Sequence, residues 1–279
     1  MTASLLFYRF ADVDWAYREL WRVVRRRAPW LPQEMTLDGD PHARCREPGL
    51  HLAQTCGWPL VTDLRESVRV VGSFVPCIPH AAGATYHSLV VSRRPVSPRE
   101  LRGARAAVNE YHSLSGWVSL VWAVHGPGAE WHGPVLSTGS HRASVVALAA
   151  GRADVASIDA VSWAHLCRVE PDATSLLTVV GHGPQVPTLP LVTRRDVPPR
   201  DLAELRRALT EAATDPSIAD ALGALFIAGF VAREFEDYLP ILSLAPRDPR
   251  THASAMAGLR STPRATTPLG LAPLAPARP

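Results

Sequence analysis

The sequence predicts an α/β protein with mainly parallel sheets, divided into two lobes. Short apolar runs with strand character alternate along the chain with stretches in which apolar residues recur at helical spacing. The 279 residues, 47% hydrophobic and 20% charged, are enough to bury two modest cores. No internal repeat at a fixed period competes with this reading.

Local signals set the order of elements. Ser4 to Phe10 reads as a buried strand, and Asp12 and Asp14 then open a helix in which Trp15, Leu20, Trp21, Val23 and Val24 alternate with Arg and Glu. Leu50 to Gln54 is a second strand that ends in the turn Thr55-Cys56-Gly57-Trp58-Pro59. Val68 to Val75 and Tyr86 to Ser92 follow as strands, Ser97 caps a short helix from Pro98 to Gly103, and Ala104 to Asn109 is a fifth strand. Helices are expected from about Ser115 to Val124 and from Ser140 to Ala150, the second closed by Gly151. A strand from Asp154 to Ile158 leads into a helix from Asp159 to Arg168. Leu176 to Val180 and Thr188 to Thr193 read as strands, Pro198 to Ala213 as a long amphipathic helix, and a short helix follows Pro216. Arg233 to Leu244 is the last expected helix.

Composition excludes several functions. All 29 basic residues are Arg, so Schiff-base and P-loop lysine chemistry are both absent. Net charge is +3, but the stretch from Pro246 holds five Arg against one Asp, which leaves the body near neutral and without the basic surface nucleic acid requires. With seven Pro and few aromatics, residues 246–279 are expected to be disordered and dispensable for folding. No apolar run approaches the roughly 18 residues of a membrane span. Cys45, Cys56, Cys77 and Cys167 form no C-x-x-C pair and no zinc spacing, and no cofactor or metal motif is present. Cys56 and Cys77 are expected in the first lobe near the mouth of a cleft, able to pair in an oxidising compartment. The N-terminus lacks the features of a secretory signal, so the chain as given is expected in the cytoplasm, or outside it if it is a mature form re-started at Met.

Three strand ends carry the candidate chemistry. In Ser137-Thr138-Gly139-Ser140-His141-Arg142, a strand runs through Gly into a helix whose first turn offers free N–H groups, a hydroxyl and an imidazole to an anion. Glu110-Tyr111-His112-Ser113-Leu114-Ser115-Gly116 is a second helix start of this kind, and Asp159 ends a strand where the next helix begins. Each also reads as ordinary capping. Taken together they are the C-terminal strand ends of one α/β lobe, where open sheets bind ligands.

The phrases LAQTCGWPLVT, TYHSLVV, LRGARAAVNEYHSLSG, TGSHRASVVALAAGRADVASIDAVSWAHL and LPLVT resemble the substrate-binding proteins of phosphate, phosphite and phosphonate ABC transporters, over about residues 3–243. The resemblance implies a two-lobed type II periplasmic-binding fold with a ligand cleft between the lobes. Lobe 1 would comprise residues 1–87 and 194–245, and lobe 2 residues 88–193. By the same resemblance, Ser113, Leu114 and Ser115 would cradle an anion beside Ser140 and His141, and Asp159 would supply the acidic ligand. Tyr8 and the turn Gln54-Thr55-Cys56 would face them from lobe 1. Leu114 stands where many members are polar and makes that part of the pocket more apolar. The implied partners are a small anionic ligand such as a phosphonate and an ABC permease, with no cofactor. The alternative on the same fold is a cytoplasmic dehydratase- or lyase-like enzyme acting on a small organic acid, with His141, Asp159 and Cys56 as candidate groups.

Overall fold

The computed structural model describes residues 2–5 and 7–251. The strands are β1 (Thr2–Ser4), β2 (Leu50–Gln54), β3 (Val68–Pro76), β4 (Ala81–Ala82), β5 (Thr85–Ser92), β6 (Ala106–Val108), β7 (Val135–Ser137), β8 (Val155–Ile158), β9 (Thr178–Pro187), β10 (Leu191–Arg194) and β11 (Ile227–Ala232). They form two sheets, one ordered β1-β2-β10-β3-β11 and the other β4-β5-β8-β6-β7, with β9 paired to β5. The chain therefore passes from the first sheet to the second between Pro76 and Ala81 and returns between Pro187 and Leu191. The expected boundaries at 87/88 and 193/194 fall inside β5 and β10.

The sheets are mixed rather than mainly parallel, which corrects the sequence expectation. Among the described residues, only β1–β2, β6–β7 and β6–β8 pair in parallel. Strands that enter from the other lobe arrive at the opposite end of the sheet, so β10 runs antiparallel to β2 and β3, and β5 antiparallel to β8. Short apolar runs carry no sign of direction, and this reversal was therefore invisible locally.

Several elements differ in extent. The first strand ends at Ser4, and Phe7–Phe10 form a loop before the helix Asp14–Arg27, because only Thr2, Ala3 and Ser4 find partners on β2. The expected turn after Gln54 contains a helix, Gly57–Thr62, with Cys56 at its N-cap. Strand β9 runs through Gly181, Gly183 and Pro184, which read as breakers in the sequence, and it tolerates them with register shifts against β5. Strand β11 was not anticipated. The last helix, Phe235–Leu244, is 3₁₀ rather than α and carries Pro240 inside it.

Two cores result. One lies between the first sheet and the helices Asp14–Arg27, Pro199–Ala212 and Ala219–Ala224, centred on Leu20, Val23, Leu205 and Leu209. The other fills the second lobe and continues across the crossovers to Leu50, Val70 and Tyr238.

The tail expectation fails at its start. Residues 246–251 dock on the second lobe, where Asp248 accepts from the Trp131 N–H (3.2 Å) and Thr251 accepts from the Trp117 indole (2.8 Å). Local composition predicted disorder because the partners lie more than a hundred residues away. The rest of the expected disordered tail, 252–279, lies outside the described residues. Among the described residues, no helix is long and apolar enough to cross a membrane, and no cluster of three or more His, Cys, Asp or Glu is arranged to hold a metal.

Candidate ligand cleft

A cavity of about 620 Å³ opens between the lobes. Its first-lobe wall is the loop Phe7–Asp12 with Pro41, His42 and Cys56, and its second-lobe wall is formed by Asn109, Glu110, His112, Ser113 and Ser115 and by the segment 139–142 with Asp159 and Ser162. The sequence-predicted residues Tyr8, Cys56, Ser113, Ser115, Ser140, His141 and Asp159 all line it.

Each second-lobe group is held by local capping. Ser113 Oγ accepts from Gly116 N–H (2.9 Å) at the start of a π-type turn, Leu114–Val118, that continues into the helix Ser119–His125. Ser140 Oγ accepts from Ala143 N–H (3.1 Å) at the start of the helix His141–Ala149, and the extended backbone after Gly139, at φ +82°, sets the entry. The two helix starts meet where Ser115 Oγ lies 2.9 Å from His141 Nε2. The other ring nitrogen, His141 Nδ1, is buried without a partner.

Asp159 caps the helix Ala160–Val169 through Oδ1, which accepts from Val161 N–H (2.8 Å) and Ser162 N–H (3.0 Å). Its Oδ2 accepts from the Tyr8 hydroxyl across the cleft at 3.0 Å. Burial and the Asp159 charge hold both Tyr8 and Tyr86 well above the usual tyrosine range, so both remain protonated, Tyr8 as the donor to Asp159. Burial pushes His141 below its ordinary value against the pull of Asp159 and Glu110, which favours the neutral imidazole. Burial likewise pushes the Cys56 thiol up to about 11, and Sγ accepts from Leu114 N–H at 3.4 Å. Burial thus disfavours the Cys56 thiolate, the form a nucleophile needs. The expected Cys56–Cys77 pair is not formed: Cys56 is buried at the cleft, Cys77 is exposed, and both are free.

Three predicted residues lie outside the cavity. Leu114, 1% exposed, turns its side chain into the core over Gly57, and only its N–H reaches the cleft side through Cys56. Thr55 is buried behind Cys56 and donates its N–H to Pro190 O (3.0 Å). Gln54 lines a separate space of about 30 Å³ on the far side of Tyr8.

The sequence reading missed the groups at the mouth. His42 Nε2 lies 3.1 Å from Glu110 Oε2 across the lobes, and His112 Nε2 approaches Asp63 Oδ2 to 2.7 Å without hydrogen-bond alignment. Burial is the largest single influence on His42 and opposes its proton, but the Glu110 bond and the Glu110 and Asp40 charges together raise that pKa, whereas burial prevails at His112 and lowers it. The Asp40-Pro41 cap-and-N1 pair was the available signal for the short helix that presents His42. Both cavity arginines are already paired, Arg9 with Asp14 (2.8 Å) and Arg142 with Glu170. Neither guanidinium is therefore free to meet a ligand, and the helix starts are the remaining partial positive charges.

The family model described as "ABC transporter, phosphonate, periplasmic substrate-binding protein" matches residues 50–238. The chain belongs to that family. As a family member it is a solute-binding protein, and the family is one of periplasmic proteins served by an ABC permease. Solved structures agree on the fold. The binding-protein component of an ABC phosphonate transporter from Pseudomonas aeruginosa is 16% identical with a TM-score of 0.68, covering 88% of this chain and 84% of that one. PhnD1 from Prochlorococcus marinus, solved with methylphosphonate, is 14% identical with a TM-score of 0.69, covering 88% and 96%. XAC2383 from Xanthomonas citri, solved with chloride, is 19% identical with a TM-score of 0.63, covering 88% and 95%. No curated protein matches the chain. The lyase-like alternative draws no support from these comparisons.

Proposed function

We propose that the cleft captures a compact phosphonate-type monoanion by closure of the two lobes and delivers it, outside the cytoplasm, to an ABC permease. The observation that carries this reading is the meeting of two capped helix starts at Ser115 and His141, with His141 Nδ1 left unpartnered. Helix-start N–H groups and an imidazole suit a negative group. Asp159 limits its charge: a dianion would face the carboxylate, while a monoanion bearing an O–H or N–H would donate to it. The family, and the methylphosphonate bound in the Prochlorococcus neighbour, support the same class.

The test is calorimetric titration of wild type and His141→Ala with methylphosphonate, other phosphonates, sulfonates and small carboxylates. Loss of a charge-assisted bond of about 1.5–3 kcal/mol should weaken binding roughly ten- to a hundredfold. Equal affinities for every ligand that binds would remove His141 from the site. The same titrations in buffers of different ionisation enthalpy should show proton uptake. His141 sits below its ordinary value in the empty cleft, and an arriving anion raises it, so affinity should increase as the pH falls toward the empty-state value. Proton release on binding would contradict this.

A further inference from the structure

The chain crosses from the first lobe to the second once more after the helix Phe235–Leu244. That helix touches the returning crossover, where the Tyr238 hydroxyl donates to Thr188 O (3.1 Å), and just before the helix Arg233 donates to Ala84 O (2.9 Å) at the entry to β5. The following residues then run onto the second lobe. Arg247 N–H donates to Ala129 O (3.1 Å), Asp248 accepts from Trp131 N–H, and Arg250 pairs with Asp248 and donates to Trp131 O. Asp248 and Thr251 are 2% and 1% exposed.

Arg250 and Thr251 both reach Trp117. This side chain is fully buried and belongs to the same turn as Ser115. Its indole N–H donates to Thr251 Oγ1 (2.8 Å), and the Arg250 guanidinium lies 4.9 Å from the centroid of its ring and 5.7 Å from that of Tyr111. The backbone N–H groups of Trp117 and Val118 both close on Ser113 O at 3.1 Å. A shift of the indole is thereby a shift of the turn that carries Ser113 and Ser115, and through Ser115 of His141. None of Arg247, Asp248, Arg250 or Thr251 lines the cavity.

We infer that Arg247–Thr251 is a positioning strap that clamps Trp117 and holds the Ser113–Val118 turn in register, so that residues outside the cleft set its affinity. The turn needs such support because its backbone ring is of the wider π type, and supporting contacts behind a site decide how tightly its donors are held. The affinity consequence rests on the proposed cleft; the clamping of the turn does not.

The experiment compares the full-length chain with the double variant Arg250→Ala/Thr251→Val and with Thr251→Ser, which keeps the hydroxyl. Nuclear magnetic resonance follows the Trp117 indole N–H and amide exchange, and calorimetry follows methylphosphonate as the probe. In the double variant the indole resonance should move, and amides 116–118 should exchange at least tenfold faster while those of β8 hold. Methylphosphonate should bind at least tenfold more weakly, and Thr251→Ser should behave as wild type. Unchanged exchange in the turn, or equal acceleration throughout the second lobe, overturns the strap. A loosened turn with unchanged affinity overturns its positioning role. If wild type does not bind methylphosphonate, the ligand reading fails separately and the exchange arm decides the strap.

Discussion

Acidification from pH 6.5 to about 4 is expected to remove about 3 kcal/mol of folding stability through one side chain, His165. Its ring is buried with both nitrogens unpartnered, stacked on Phe10 at 4.9 Å and met edge-on by Phe226 at 4.9 Å. Burial, and then the Arg168 charge on the same helix, push its pKa down to about 4, with Asp12 pulling weakly the other way. The sign follows from proton counting. The unfolded chain binds the proton near pH 6.5 and the folded one does not, so stability is complete above 6.5 and lost as the pH falls toward 4. Urea unfolding across this range should show the slope, and His165→Leu should remove most of it, since no hydrogen bond is lost. Burial also lowers His112, His125, His141 and His182, and they contribute slopes of the same sign that persist in the variant. An undiminished slope in His165→Leu would mean that those histidines carry the effect. Because Phe10 and Phe226 belong to the first lobe and His165 to the second, the same protonation should part the lobes before the cores melt.

Replacing Gly72 by Ala should cost at least about 3 kcal/mol, the upper end for overpacking a closed interior. Gly72 sits in β3 between β10 and β11, opposite Leu191 and Ala232. A Cβ there would lie 2.3 Å from both Phe230 Cζ and the Val231 carbonyl oxygen. The ring could swing aside, but the carbonyl belongs to the β11 ladder and moves only by opening it. Gly229→Ala is the control, since its Cβ would meet only the Val75 side chain at 3.7 Å, an ordinary contact. Urea unfolding of both variants decides. A difference of less than about 1 kcal/mol between them would show that the sheet yields at little expense.

These two sites differ in how far the sequence announces them. His165 falls within an expected helix, on its buried face, but its aromatic partners lie more than sixty residues away in one case and about one hundred and fifty in the other. Gly72 reads as an unremarked residue in an expected strand. Its constraint comes from β11, a strand absent from the sequence reading because Ile227–Ala232 is short and interrupted by Gly229.

What the sequence determined by itself is the set of features whose physics is local. Ser113, Ser140 and Asp159 cap helices because each side chain closes on N–H groups two or three residues ahead. Strands β2, β3 and β5 appear within a residue of their expected limits because their β-branched and apolar runs are bounded by turn residues. What only the tertiary structure decided depends on groups far apart in the chain. The direction of β10 and β5, the turning of Leu114 into the core, the cross-lobe pairing of His42 with Glu110 and the clamping of Trp117 by Thr251 all belong here. Each is a contact whose energy appears only after the lobes have formed and met, and a linear pattern holds no record of which distant partner will complete it.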